Sequence, residues 1–170
     1  MKTFNKQNIN RILFNLAEKY TDALQESLGG RLFAVILFGS VARREATQYS
    51  DIDLLIVVDR LEKGRLHRAA MLEKPDRAVQ GDLMALWEKG IYTDVVPVLK
   101  SAGEAERIVP LYLDLVEDGI ILFEKDKFFT RILNRLQQSL HRLGAVRLQS
   151  GHIRYWDLKP DLKPGEIFSL

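Results

Sequence analysis

Two carboxylates, Asp51 and Asp53, stand one residue apart at the mouth of an apolar run, Ile52 to Val58, that otherwise reads as a buried strand. Side chains alternate along a strand, so both carboxylates point to one face. Held that close they repel each other, and burying them unpaired costs free energy unless a cation or hydrogen-bond donors compensate. The surrounding leucines, isoleucines and valines offer no donors. A pair of divalent metals is the economical answer. Mg²⁺ takes hard oxygen ligands and shares its shell with substrate phosphates. Two metals about 3.5–4 Å apart stabilise both the attacking and the leaving oxygen of a phosphoryl displacement.

A phosphate needs more than metal. Just before the pair lies Gly39-Ser40. Gly39 lets backbone approach closely, and Ser40 adds a hydroxyl and an N–H. A helix starting at Val41 would aim further N–H groups at the same place. Arg43 or Arg44 supplies positive charge, although a salt bridge that locks the loop suits Arg43 equally well. A two-metal site also wants a third carboxylate, to bind the reactive metal and take a proton from an incoming hydroxyl. Asp94, in "YTDVV", is the candidate, because it breaks an otherwise structural pattern. Asp59 and Asp82 lack a comparable strand context.

The elements that must position these residues follow from periodicity. Apolar residues at Ile9, Ile12, Leu13, Leu16, Tyr20, Leu24 and Leu28 predict a helix over 5–28, stopped by Gly29-Gly30. "RLFAVILF" (31–38) predicts the first strand, "VARREA" a helical turn, "TQYS" a loop and "DIDLLIVVD" (51–59) the second strand. Residues 62–89 read as helix, in two pieces broken near Pro75. The third strand is expected over 91–100, and since Pro97 cannot donate to a ladder it either lies near an edge or is finished by that residue. "GEAERIVPLYLDLVEDG" reads as a helix ending at Gly119, with Pro110 leaving its first half open. "IILF" (120–123) is a fourth strand, and a helix over 126–143 carries Phe128, Ile132, Leu136 and Leu140 on one stripe. The order is that of an α/β domain over residues 1–144. Residues 145–170 read as an extended tail containing the tandem repeat "DLKPDLKP", anchored by Tyr155, Trp156, Ile167 and Phe168.

The segment "GSVARREATQYSDIDLLI" resembles the signature of the DNA polymerase beta-like nucleotidyltransferase superfamily: Gly-Ser, then Ala-Arg, then Ser-Asp-x-Asp-Leu. It looks most like the minimal (MNT-type) nucleotidyltransferases, and with the strand carrying Asp94 the resemblance spans residues 31–100. One departure is Arg44, where many members have Gly. The resemblance implies a small mixed β-sheet flanked by helices. It implies nucleotide phosphates at Gly39 and Ser40, two Mg²⁺ on Asp51 and Asp53, and Asp94 completing the metal site. The implied reaction moves a nucleoside monophosphate, AMP from ATP foremost, to a hydroxyl and releases pyrophosphate. Some members are antitoxins that AMPylate a HEPN-type toxin, so a small helical protein is one implied partner.

Composition narrows the rest. Lys and Arg exceed Asp and Glu by only 25 against 23, so a general nucleic-acid binder is not expected. Without cysteine there is no disulfide, thiolate chemistry or Cys-based metal site. No apolar run approaches the roughly 20 residues that span a bilayer, and a cytoplasmic protein, with or without self-association, is the expectation. His67, His141 and His152 lack metal-ligand spacing to one another. A competing expectation is an antitoxin-like binding protein that neutralises a partner by contact, its metal site idle, with the tail and the last helix as the binding surface.

Overall fold

The computed structural model describes residues 6–61, 64–151, 153–163 and 165–170. The start of the first predicted helix at residue 5, residues 62–63 of the second helical segment, His152, and Pro164 of the tandem repeat lie outside the described residues.

Helix α1 (Lys6–Leu28) buries Ile9, Leu13, Leu16, Ala17, Tyr20 and Leu24 along one stripe. A short 3-10 turn at Gly29–Arg31 leads into β1 (Leu32–Phe38). One helical turn, α2 (Gly39–Ala42), and a loop precede β2 (Ile52–Val58). Helices α3 (Arg65–Ala70) and α4 (Glu73–Glu88) cross over to β3 (Val95–Ser101). Then come α5 (Ala102–Ala105), α6 (Leu111–Asp118), β4 (Ile120–Glu124) and α7 (Phe128–Leu143). The chain closes with β5 (Val146–Ser150), β6 (Ile153–Asp157) and an irregular segment to Leu170.

The sheet order is β3-β2-β1-β4. β1 runs antiparallel to both β2 and β4, while β2 and β3 are parallel, so the sheet is mixed. β1 and β2 are central and covered on both faces, which is why they read as continuous apolar runs rather than alternating ones. One face packs Val35, Leu37, Leu54 and Ile56 against α1 and α4 through Leu13, Tyr20, Leu24 and Val79. The other packs Ala34, Ile36, Leu55 and Val57 against α6 and α7 through Tyr112, Leu115, Phe129 and Leu136. Each fully buried leucine or isoleucine here contributes about 1.5–3 kcal/mol. These two layers hold β1 and β2 side by side, and so hold Gly39 against Asp53.

Several sequence expectations shift. The break in the 62–89 segment falls at Met71-Leu72, not at Pro75, which lies in the first turn of α4, where a missing N–H loses no helical bond. β3 begins at Val95, so Asp94 stands just before the strand rather than within it. Pro97 does lie on an edge strand. Pro110 separates α5 from α6 as the N-cap residue of the latter. On α7 the buried aromatic is Phe129, with Phe128 half-buried at the rim. The largest difference is at the C-terminus. Residues 146–157 form a two-stranded antiparallel hairpin instead of an unpaired tail. Trp156 and Leu158 anchor it against the α6–α7 side, whereas Ile167 is 95% exposed and anchors nothing.

Candidate active site

The turn after β1 is built by backbone bonds that fold it back on itself. The N–H of Arg43 donates to the Gly39 carbonyl (3.2 Å), that of Arg44 to Val41 (3.1 Å) and that of Glu45 to Ser40 (2.8 Å). The helix begins at Gly39, two residues earlier than the sequence suggests. Asn10 of α1 staples this loop from both sides. Its Nδ2 donates to the Val41 carbonyl (3.0 Å) and its Oδ1 accepts from the Ala46 N–H (3.3 Å). A polar residue on an otherwise ordinary helix gave no sequence signal for that role. Downstream, Ser50 Oγ accepts from the Thr47 N–H (2.9 Å), which closes the turn that delivers Asp51.

Gly39 has φ +71°. A Cβ placed there would lie 2.0 Å from Asp53 Oδ2. The glycine is therefore required twice, by its left-handed backbone and by the carboxylate pressed against it. Asp53 sits opposite Phe38 across the β1–β2 ladder and opposite Val96 across the β2–β3 ladder. It is half-buried, and among the described residues no donor reaches its carboxylate. Burial, and then the neighbouring charge of Asp51, push its pKa up, with the Arg43 guanidinium opposing. Asp51 is exposed at the strand mouth.

Asp94 is brought beside Asp51 by backbone. Its N–H donates to Asp51 Oδ1 (3.1 Å) and its carbonyl accepts from the Ile52 N–H (2.8 Å). Its own carboxylate accepts from the Val95 N–H (2.8 Å). Among the described residues no group of three His, Cys, Asp or Glu side chains is gathered closely enough to hold an ion. The donor set that fits a cation is thus the Asp51–Asp53 pair: hard oxygens, one half-buried, with mutual repulsion that a cation relieves. Asp94 stands next to that pair with its carboxylate turned aside.

Arg43 makes the loop-locking ion pair, its Nε 2.9 Å from Glu45 Oε2, and still acts electrostatically on Asp53. The other Glu45 oxygen meets Arg154 of β6 at 2.6 Å. Neither Glu45 nor Arg154 stands out in the sequence, since the contact joins positions far apart in the chain. Asp59 and Asp82 lie in peripheral ion pairs with Arg31 and Lys19.

A family model for the nucleotidyltransferase domain matches residues 17–138. The chain belongs to that family. This nucleotidyltransferase is 27% identical over 138 residues to "Putative protein adenylyltransferase MJ1305" of Methanocaldococcus jannaschii, a match covering 80% of this chain and 88% of the relative. Among solved structures, a toxin–antitoxin complex with AMP-PNP superposes with a TM-score of 0.46 at 16% identity, over 75% of this chain and 92% of the other. A tri-AMPylated Shewanella oneidensis HEPN toxin in complex with MNT antitoxin gives 0.43 at 17% identity, over 76% and 92%. In the nucleotidyltransferase the Gly39 turn and the Asp pair lie inside the matched segment. So does Arg44, whose φ of +59° is the backbone conformation for which glycine is suited. Arg44 is exposed. Arg44→Gly is therefore expected to stabilise the fold by about 0.5–1 kcal/mol, the left-handed penalty less the entropy of glycine, read as a higher thermal midpoint.

Proposed function

We propose that the protein moves AMP from ATP to a hydroxyl of a protein acceptor in a Mg²⁺-dependent reaction. The observation that carries this reading is the half-buried Asp53 carboxylate, without a donor among the described residues, pressed against Gly39 and beside the charge of Asp51. The adenylyl donor and protein acceptor are supported by the name of the Methanocaldococcus jannaschii relative. The resemblance to minimal nucleotidyltransferases adds a HEPN-type toxin as the acceptor. Asp51 and Asp53 would hold Mg²⁺, with Asp94 joining them once its carboxylate leaves the Val95 N–H. When bound, the metal supplies charge neutralisation for the phosphates and lowers the pKa of the acceptor hydroxyl.

The chain's own residues do the rest. The Gly39-Ser40 turn receives the phosphates through backbone N–H groups and the Ser40 hydroxyl. The acceptor oxygen attacks the α-phosphorus while the bond from that phosphorus to the α–β bridging oxygen breaks. Pyrophosphate departs with the bonding electrons, and Asp94 takes the acceptor's proton. Preorganisation by the β1–β2 ladder and by the Asn10 staple keeps the turn and the carboxylates in register.

Calorimetry of ATP, GTP, CTP and UTP with and without Mg²⁺ tests the donor site. ATP is expected to bind with metal, and binding is expected to vanish in Asp51→Asn/Asp53→Asn. Equal binding by the double variant would overturn the metal assignment. A second reading, neutralisation of a partner by contact alone, draws on the outer face of the hairpin, where Val146, Leu148 and Tyr155 are exposed. The same double variant separates the two readings: neutralisation that survives it is not catalytic.

A further inference from the structure

The C-terminal hairpin presents two different faces. Leu148 pairs with Tyr155, and these look outward. Arg147 pairs with Trp156 and Gln149 with Arg154. These look inward, Trp156 onto the core and the other three into a cavity of about 480 Å³ that they line with Lys6, Arg43, Glu45 and Asp114. Lys6, Arg43, Arg147 and Arg154 thus face Glu45 and Asp114 across one solvent-open cleft, and Arg43 is the residue that also acts on Asp53.

Two of these cations share a single counter-ion, and a third keeps an unpaired N–H. Arg43 and Arg154 share one carboxylate, each holding one oxygen of Glu45. Arg147 donates to Asp118 (2.5 Å), with Asp114 at 3.7 Å, yet its Nε is buried and has no acceptor among the described residues. A planar guanidinium is the side chain suited to bidentate contact with phosphate oxygens, and a buried N–H without an acceptor is destabilising until one arrives. A ligand rich in anionic oxygens would satisfy all three groups and displace Glu45 from its double bridge.

We propose that this cavity receives the polyphosphate chain of the nucleoside triphosphate, with Arg154 and Arg147 of the hairpin joining Arg43 as its ligands. The hairpin is then a working part of the donor site: it grips the β- and γ-phosphates, and afterwards the pyrophosphate, while the Asp51–Asp53 pair addresses the α-phosphate. This rests on the nucleotidyl-transfer reading, and its own test uses no metal.

Inorganic tripolyphosphate is titrated by calorimetry into the full chain, in chelator, at low and high salt. Wild type is expected to bind, more weakly as salt screens the site. Arg154→Gln and Arg147→Gln are each expected to weaken binding at least about tenfold, with Arg154→Lys in between because it keeps charge but loses the planar fork. Glu45→Gln is expected to tighten binding, since the competing carboxylate is gone. Asp51→Asn/Asp53→Asn should not weaken it, which distinguishes failure here from failure of the metal site. The Arg154 ion pair is partly exposed, so its loss removes less than about 1 kcal/mol and the variant stays folded; unchanged thermal midpoints check this. ATP is expected to displace bound tripolyphosphate. No binding by wild type, or wild-type binding by both arginine variants, would overturn the proposal and leave the arginines as anchors of the hairpin. Displacement by a short single-stranded RNA but not by ATP would overturn it in favour of a nucleic-acid groove.

Discussion

Gly39→Ala is expected to reduce nucleotidyl transfer by about a hundredfold or more, because displacing a reacting group by around 1 Å is enough for that loss. The Cβ would fall 2.0 Å from Asp53 Oδ2 and 3.0 Å from its Cγ. The obstructed atoms are the end of a short side chain, so Asp53 would rotate away while the backbone stays. Alanine at φ +71° adds a left-handed penalty of about 1–2 kcal/mol. The signature is therefore a folded protein, lowered in thermal midpoint, with turnover lost far out of proportion. Turnover within a few-fold of wild type would mean that the Asp53 position seen here is not the one chemistry uses.

Asp53→Asn is expected to move activity and stability in opposite directions: transfer falls by at least about a thousandfold, in the range found when a charge-stabilising group is removed, while the metal-free protein melts roughly 1–3 °C higher at neutral pH. Burial and Asp51 raise the pKa of Asp53 in the folded state above its unfolded value. In the window between those two values the folded state binds more protons than the unfolded one, so stability falls as pH rises. Below the ordinary aspartate range both states are protonated, and the advantage of asparagine closes. Melting curves of both proteins between pH 3 and pH 8 read this directly. A variant that melts lower at pH 8 would sink the claim that the ionised carboxylate is strained. Adding Mg²⁺ should raise the midpoint of wild type and leave Asp53→Asn unmoved.

The parts of this molecule that were legible in the sequence are those where one physical rule dominates. Burial on both faces made β1 and β2 into apolar runs, so the Asp pair and the Gly39-Ser40 turn stood out against them. The Pro97 edge position followed from its missing donor. The hairpin was misread because two rules conflicted. Residues 146–150 and 153–157 do alternate, but Arg147, Gln149 and Arg154 join Trp156 on the inward face while leucine and tyrosine take outward positions. A pattern read for apolar burial gives the wrong face, and the prolines that follow suggested a tail. Pro75 misled in the same manner, since a proline near a helix start resembles one that ends a helix. Asn10 and Glu45 were illegible because each acts on a distant segment through one or two polar contacts of a single side chain.

The pairing of β2 with β3 has a consequence for how this architecture can diversify. Asp51 and Asp94 are held together by the Ile52 N–H to Asp94 carbonyl bond and by the ladder that continues it from Ile52–Val95 onward. Their separation is thus written in strand register, not in the length of chain that connects them. The excursion between Val58 and Thr93, with α3 and α4, can be lengthened, shortened or exchanged without changing the spacing of those two carboxylates, provided the sheet face beneath it stays covered. Sequence change in that excursion is therefore uncoupled from the geometry of the two carboxylates, which the β2–β3 register alone maintains.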